Sequence, residues 1–250
     1  MKKVFIYLSA IVVVLLFGNC KKSSTPTSGG GSPPLNTSGG TYGYLESTRS
    51  YYLQRSTSSL TSGFLPLCNA NFSSPQTYAA VSAGTVMVGN IKLQAVSLGW
   101  YVDSTNMVSI CPTNWKVSGS SVIPSFTYTC NDSMPKYTGY LLLPDSITKS
   151  QNLVLQINGV SGGDNLSVQI TDGINSTTSG HSYFQMLNTI SANNSINIPS
   201  SAMAGFTTTA VSGTTGLITV TVIKNNFQSF SGKNFEFNTQ MQVNNYLIIK

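Results

Sequence analysis

The chain has 250 residues, with 13 Lys and Arg against seven Asp and Glu, one His, and only 8% charged residues. The basic excess comes from a shortage of acid and not from any Lys/Arg cluster, which argues against nucleic acid as a partner. Seven carboxylates and one imidazole also leave few groups for acid–base catalysis, and neither a metal site nor a cofactor site is indicated.

In chain order, Lys2 and Lys3 precede an apolar run from Val4 to Phe17. The run has the length of a signal-peptide core and is too short to span a bilayer comfortably. Gly18 and Asn19 then lead to Cys20. This arrangement predicts a signal peptide over residues 1–19.

The segment ending at Cys20 resembles the lipobox of bacterial lipoproteins, with Phe17 in place of the usual Leu and Asn19 in place of Gly or Ala. The resemblance implies cleavage before Cys20, diacylation of its sulfur and acylation of the new amine. Acyl chains contribute roughly 0.8 kcal/mol per buried methylene, so three of them would anchor the protein stably to a membrane. Lys21 and Lys22 follow, so the aspartate that retains many lipoproteins at the inner membrane is missing, as is an acidic surface-export signal. The expected location is the outer membrane, with the periplasmic face favoured over the cell surface.

Residues 20–41 are rich in Gly, Ser, Thr and Pro and predict a flexible tether. Beyond it lie about 210 residues, enough for one large β domain or two of sandwich size. Removing Lys2 and Lys3 leaves the mature chain at a net charge of about +4, two of those positives being Lys21 and Lys22.

The rest of the chain reads as strands. Thr85–Val88, Gly89-Asn90 and Ile91–Gln94 form a two-residue hairpin pattern. Trp115 and Val117 share a face, as do Phe126, Tyr128 and Cys130. If these two segments pair antiparallel, Val117 opposes Phe126, Trp115 opposes Tyr128 and Cys130 falls beside Thr113. Leu166, Val168 and Ile170 alternate with Ser167, Gln169 and Thr171, and Leu153, Leu155 and Ile157 precede them. The glycines between them predict a hairpin. Ser200–Ala204 suits one helical turn. Leu217–Ile223 is apolar on both faces, as in a central strand. In 235–243, Phe235, Phe237, Thr239, Met241 and Val243 alternate with Glu236, Asn238, Gln240 and Gln242, predicting one buried and one wet face.

The expected fold is all-β, with one or two antiparallel β-sandwich domains of immunoglobulin-like type. A polar break at 131–136 suggests a first β domain over 42–134 and a second, immunoglobulin-like one over 135–250. A single sandwich in which the first half supplies one sheet is the alternative. The stretch from Trp115 to Val160 also resembles β-sandwich lipoproteins of Bacteroidota.

Among functional candidates, His181 sits in a Ser/Gly loop with no Gly-x-Ser-x-Gly elbow before it, which favours a solvated histidine over a catalytic one. Asp164 and Asp172 flank one strand and would meet as a carboxylate pair only through the fold. Together with Asn165 they form a thin calcium set. Tyr42, Tyr44, Tyr51 and Tyr52 suit either a stacking surface for sugar or peptide, or a first strand packed against the core. Trp100 and Trp115 read as core residues. With Cys20 lipidated, Cys68, Cys111 and Cys130 allow one bridge, and the pairing above favours Cys111–Cys130 with Cys68 buried and free. Three of the five aspartates are followed by Ser: Asp103-Ser104, Asp132-Ser133 and Asp145-Ser146. These resemble the O-glycosylation motif of Bacteroidota and equally suit turn initiation.

The sequence therefore favours a membrane-anchored, non-enzymatic binding or structural module with a carbohydrate or protein ligand. A hydrolase using His181 is the alternative.

Overall fold

Period-two alternation of apolar and polar residues runs through the chain, and strands follow it. The computed structural model describes residues 40–62, 67–105, 107–172, 180–209 and 216–250. Cys20 lies outside the described residues, as do the expected signal peptide over 1–19 and the tether up to Gly39.

The first half supplies β1 (Thr41–Gln54), β2 (Ser59–Ser62), β3 (Leu67–Phe72), β4 (Val86–Val88), β5 (Ile91–Lys92), β6 (Gln94–Ser97), β7 (Trp100–Val102), β8 (Thr113–Val117) and β9 (Phe126–Cys130). The second half supplies β10 (Lys136–Tyr137), β11 (Ser146–Ile147), β12 (Leu153–Asn158), β13 (Val160–Ser161), β14 (Asn165–Thr171), β15 (Ser182–Leu187), β16 (Asn193–Ile198), β17 (Gly216–Phe230) and β18 (Lys233–Ile249). The expected helical turn is α1 (Ser200–Met203). The fold is all-β and sandwich-like.

Ten strands form one sheet in the order β15-β14-β17-β18-β1-β3-β7-β6, with β2 beside β1 and β11 beside β18. Strands β17 and β18 are one long hairpin. Ser231 and Gly232 close it with φ of 50° and 75°, the left-handed pair that a type I′ turn requires. Strand β1 runs parallel to β18 from Gly43↔Phe235 to Tyr52↔Asn244, whereas β3 and β17 pair antiparallel with their neighbours.

Smaller sheets cover one face of this large sheet. The β5-β4-β8-β9 sheet has the expected register, with Val117↔Phe126, Trp115↔Tyr128 and Thr113↔Cys130. Its buried residues Val86, Trp115, Val117 and Phe126 join Leu45, Phe72, Phe235 and Phe237 in a first core. Strands β12 and β16 carry Leu155, Ile157, Ile196 and Ile198 into a second core with Leu166, Val168, Ile218, Val220, Val243 and Leu247.

The expected hairpin between 153–157 and 166–170 does not form. Strand β12 pairs with β16, and β14 pairs with β15 and β17, so the two apolar rows face each other across the second core. Short β13 pairs with β10 on the way between the layers.

The expected boundary near residue 134 coincides with the change of core, and Met134 packs against both. It does not divide the large sheet, because β1 and β18 join the two halves. The described residues belong to one compact unit.

Candidate functional site

Register fixes which side chains lie on the face of the large sheet away from both cores. On β1 these are Tyr44, Glu46, Thr48, Ser50 and Tyr52, because Leu45 and its alternating neighbours face inward. On β18 they are Glu236, Asn238, Gln240, Gln242, Asn244 and Tyr246. The expected wet face is thus polar, yet most of its centre is buried: Glu236, Asn238, Gln240 and Asn244 are all less than a tenth exposed.

Side-chain hydrogen bonds satisfy this field. Asn69 Nδ2 donates to Glu46 Oε2 at 2.9 Å, and Thr48 Oγ1 donates to Gln240 Oε1 at 3.5 Å. Thr219 Oγ1 donates to Asn244 Oδ1 at 2.9 Å, and Asn244 Nδ2 donates to Ser50 Oγ at 2.8 Å. In the amide orientation that suits its neighbours, Asn238 donates to Asn225 Oδ1 at 3.0 Å and to Glu236 Oε1 at 3.2 Å. Burial raises the Glu46 carboxyl above its ordinary range, with the bonds from Asn69 and Gln240 opposing.

Accessible side chains gather where β1, β3 and β7 meet. Tyr44 pairs with Asn71, and Asn71 pairs with Trp100, so the three form one row across neighbouring strands. Tyr44 is 43% exposed, Asn71 is exposed and Trp100 is half-buried. The indole Nε1 of Trp100 is buried and finds no hydrogen-bond partner among the described residues. Tyr78, on the loop closed by the Ser73–Ala80 bridge, is 77% exposed. Burial raises the Tyr44 phenol pKa, and nearby Glu236 and Tyr78 add to the rise.

The four tyrosines expected near the tether therefore divide. Tyr44 and Tyr52 face away from the cores, while Tyr42 and Tyr51 pack against the first and second core respectively. Tyr52 stacks on Tyr246 with ring centroids 5.6 Å apart. Trp115 is a core residue as expected, but Trp100 is not, because its place in β7 alternates with inward-facing Tyr101.

His181 stands immediately before β15 and is not simply solvated. Its Nδ1 lies 3.2 Å from Asp172 Oδ2, and its backbone N–H donates to Asp172 Oδ1. Thr207 N–H donates to Asp172 Oδ2 at 2.5 Å. The Asp172 side chain is fully buried, while that of His181 is 57% exposed. Burial pushes the Asp172 carboxyl upward, but the Thr207 and His181 donors outweigh it and hold the pKa below the usual range. A Cβ on Gly205 would come within 3.2 Å of the imidazole Cδ2, so the ring sits close over that backbone. An Nδ1–H donated to Asp172 leaves Nε2 as the free acceptor.

The other candidates stay apart. Asp164 immediately precedes β14 and takes Lys224 Nζ at 2.9 Å, while Asp172 follows the strand's far end. The two acids form neither a pair nor a calcium set. Among the described residues no group of three or more His, Cys, Asp or Glu could hold a metal ion, and no helix is long and apolar enough to cross a membrane.

Cys68, Cys111 and Cys130 are free thiols, so the expected Cys111–Cys130 bridge is not made in this structure. Thr113↔Cys130 has the expected register, but the Cys130 sulfur turns inward, 3.6 Å from Thr239 Oγ1 and 3.3 Å from Asp132 Oδ2. Ser104 and Ser133 are exposed. Ser146 lies half-buried in β11 and not in the expected loop, because that segment pairs with the end of β18.

Comparison with protein-family models, curated proteins and solved structures finds no match to this chain.

Proposed function

We propose that this protein is an exported lipoprotein, anchored through acylated Cys20 to the periplasmic face of the outer membrane. In this reading the β-module is not an enzyme but a binding module on a tether. The observation that carries the binding role is the Tyr44–Asn71–Trp100 row, two rings flanking an exposed amide on a rigid sheet. Rings with polar tips give contact area at little conformational cost. Replacing Tyr44 and Trp100 together with Ala should abolish retention on the ligand while leaving the melting temperature within a few degrees. Retention unchanged by the double variant would remove the row from the function.

The anchor has its own test. Cys20→Ala should block acylation and processing, and a variant still maturing to the same mass in the membrane fraction would refute it. Protease digestion of the protein on intact cells would move it to the cell surface. Exposed Ser104 and Ser133, with Ser146, are proposed O-glycosylation sites, which intact-mass measurement of native protein checks.

A second reading, a hydrolase using His181, is favoured by Asp172 standing behind Nδ1 in the orienting position of a catalytic triad. Turnover of simple esters, lost in His181→Ala, would establish it.

A further inference from the structure

We infer that the Tyr44–Asn71–Trp100 row takes a neutral glycan chain lying across β1, β3 and β7. The inference rests on the binding-module reading and names its ligand class. Charge is the first argument. No lysine or arginine occupies a position facing away from the cores within β1, β3, β7 or β18, while Glu46 and Glu236 do. An anionic polymer would find no cation there and two carboxylates nearby. Those carboxylates already accept from amides, Glu46 from Asn69 and Glu236 from Asn238, which leaves them poor anchors for a cation.

The remaining chemistry suits hydroxyls. Asn71 offers an exposed amide that both donates and accepts, and half-buried Trp100 offers ring surface, its Nε1 being buried. A sugar hydroxyl both donates and accepts, and sugar rings carry apolar C–H faces that lie flat on aromatic rings. Tyr44 and Trp100 stand two strands apart, about 10 Å at the usual strand spacing. That separation suits a chain of linked rings better than one small molecule. Exposed Tyr78 beside Tyr44 extends the platform.

A peptide is the competing ligand, and the position disfavours it. A peptide that binds by adding a strand needs free backbone at a sheet edge. Here β3 is bonded on both sides, to β1 and to β7, so the row presents side chains only.

The test is affinity electrophoresis of the detergent-solubilised full lipoprotein through gels holding xylan, mixed-linkage glucan or mannan. Parallel gels hold polygalacturonate, and a pool of extended peptides is measured by fluorescence anisotropy. Retardation by at least one neutral polymer is expected. It should weaken at least tenfold in Tyr44→Ala and in Trp100→Ala, persist in Tyr44→Phe, and be unchanged in Val154→Ala, an exposed position on β12. Thermal melts of each variant separate lost binding from lost folding. Retention only by polygalacturonate or peptide, weakened in Tyr44→Ala, would overturn the glycan assignment and leave the binding module standing. No retention by any probe would overturn both. Neutral-polymer retention that survives both alanine variants would overturn this site.

Discussion

The core beneath β1, β3 and the start of β18 buries six rings, Phe72, Tyr101, Trp115, Phe126, Phe235 and Phe237, whereas the core beneath β14, β17 and the rest of β18 is largely aliphatic and buries only Tyr137 and Phe206. In the first, Phe126 stacks on Phe230 at 4.3 Å between centroids and Tyr128 lies 4.3 Å from Phe237. In the second, Leu, Ile and Val from β12 and β16 meet Leu, Ile and Val from β14 and β17. Both long strands cross the change. On β1 the inward row passes from Leu45 through Ser47 and Arg49 to Tyr51, and on β18 from Phe237 through Thr239 to Met241. Ser47 and Thr239 pair side by side, with Cys68 beside Ser47 and Cys130 over Thr239. A buried polar seam thus separates two cores that one sheet holds together.

The buried acids differ in the same way. Glu46, over the first core, is raised by burial, whereas Asp172, in the second half, is lowered by the donors around it. Desolvation raises both, but the amides facing Glu46 do not offset it, whereas two backbone N–H groups and an imidazole do at Asp172.

Large-to-small changes probe the comparison most strongly. Phe237→Ala should destabilise the protein by about 3–5 kcal/mol, since it empties the ring-lined core. Urea unfolding measures it. Ile196→Ala in the aliphatic core should cost about 2–4 kcal/mol. Its sharper use is as a test of coupling. Trp100 and Trp115, the two tryptophans, both lie in the first half. If the shared strands make one cooperative unit, tryptophan fluorescence and far-UV circular dichroism will shift together in Ile196→Ala. A fluorescence midpoint that stays at the wild-type value would show two independently unfolding halves.

Asp172→Asn should cost about 1–3 kcal/mol at pH 7, where the ionised carboxylate accepts three hydrogen bonds. The native carboxyl is held below its unfolded value, so this stability is present above pH ~4 and is lost as pH falls through the native pKa. The gap between wild type and variant should close in acid.

Glu46 carries the opposite sign. Its native pKa lies above the unfolded value, so ionisation weakens the fold as pH rises through that interval. Glu46→Gln should therefore be slightly more stable than wild type at pH 7, and the advantage should vanish below pH ~4. A variant less stable at neutral pH would show that the carboxylate's bonds with Asn69 and Gln240 outweigh its burial. Smallest of all, Tyr44→Ala should change stability by no more than about 0.5 kcal/mol, because the ring stands on neither core.

Short-range features were legible from residues alone. The Gly89-Asn90 hairpin, the Trp115–Tyr128 pairing, the single turn at Ser200 and the inward row of β18 all depend on residues close along the chain, where period and turn chemistry act directly. The candidate site was half legible. The tyrosines of β1 drew attention as a stacking surface, but Asn71 carried no signal and Trp100 read as core. Their association depends on β3 and β7 joining β1. His181 stood out as the one histidine, but not its bond to Asp172, which the β14–β15 pairing creates.

Alternation in the sequence determined that the chain is β, and largely which side of each strand is apolar, because side chains on successive residues must point to opposite faces. Alternation is silent on which strand lies beside which. The parallel β1–β18 pairing spans nearly two hundred residues of chain, and β12 and β14 carry similar rows into opposite layers. Tertiary packing decided those partners, since many pairings satisfy backbone hydrogen bonds but few bury both apolar faces at once. The same choice decided the function-bearing features: where Tyr44 meets Asn71 and Trp100, and where Asp172 meets His181.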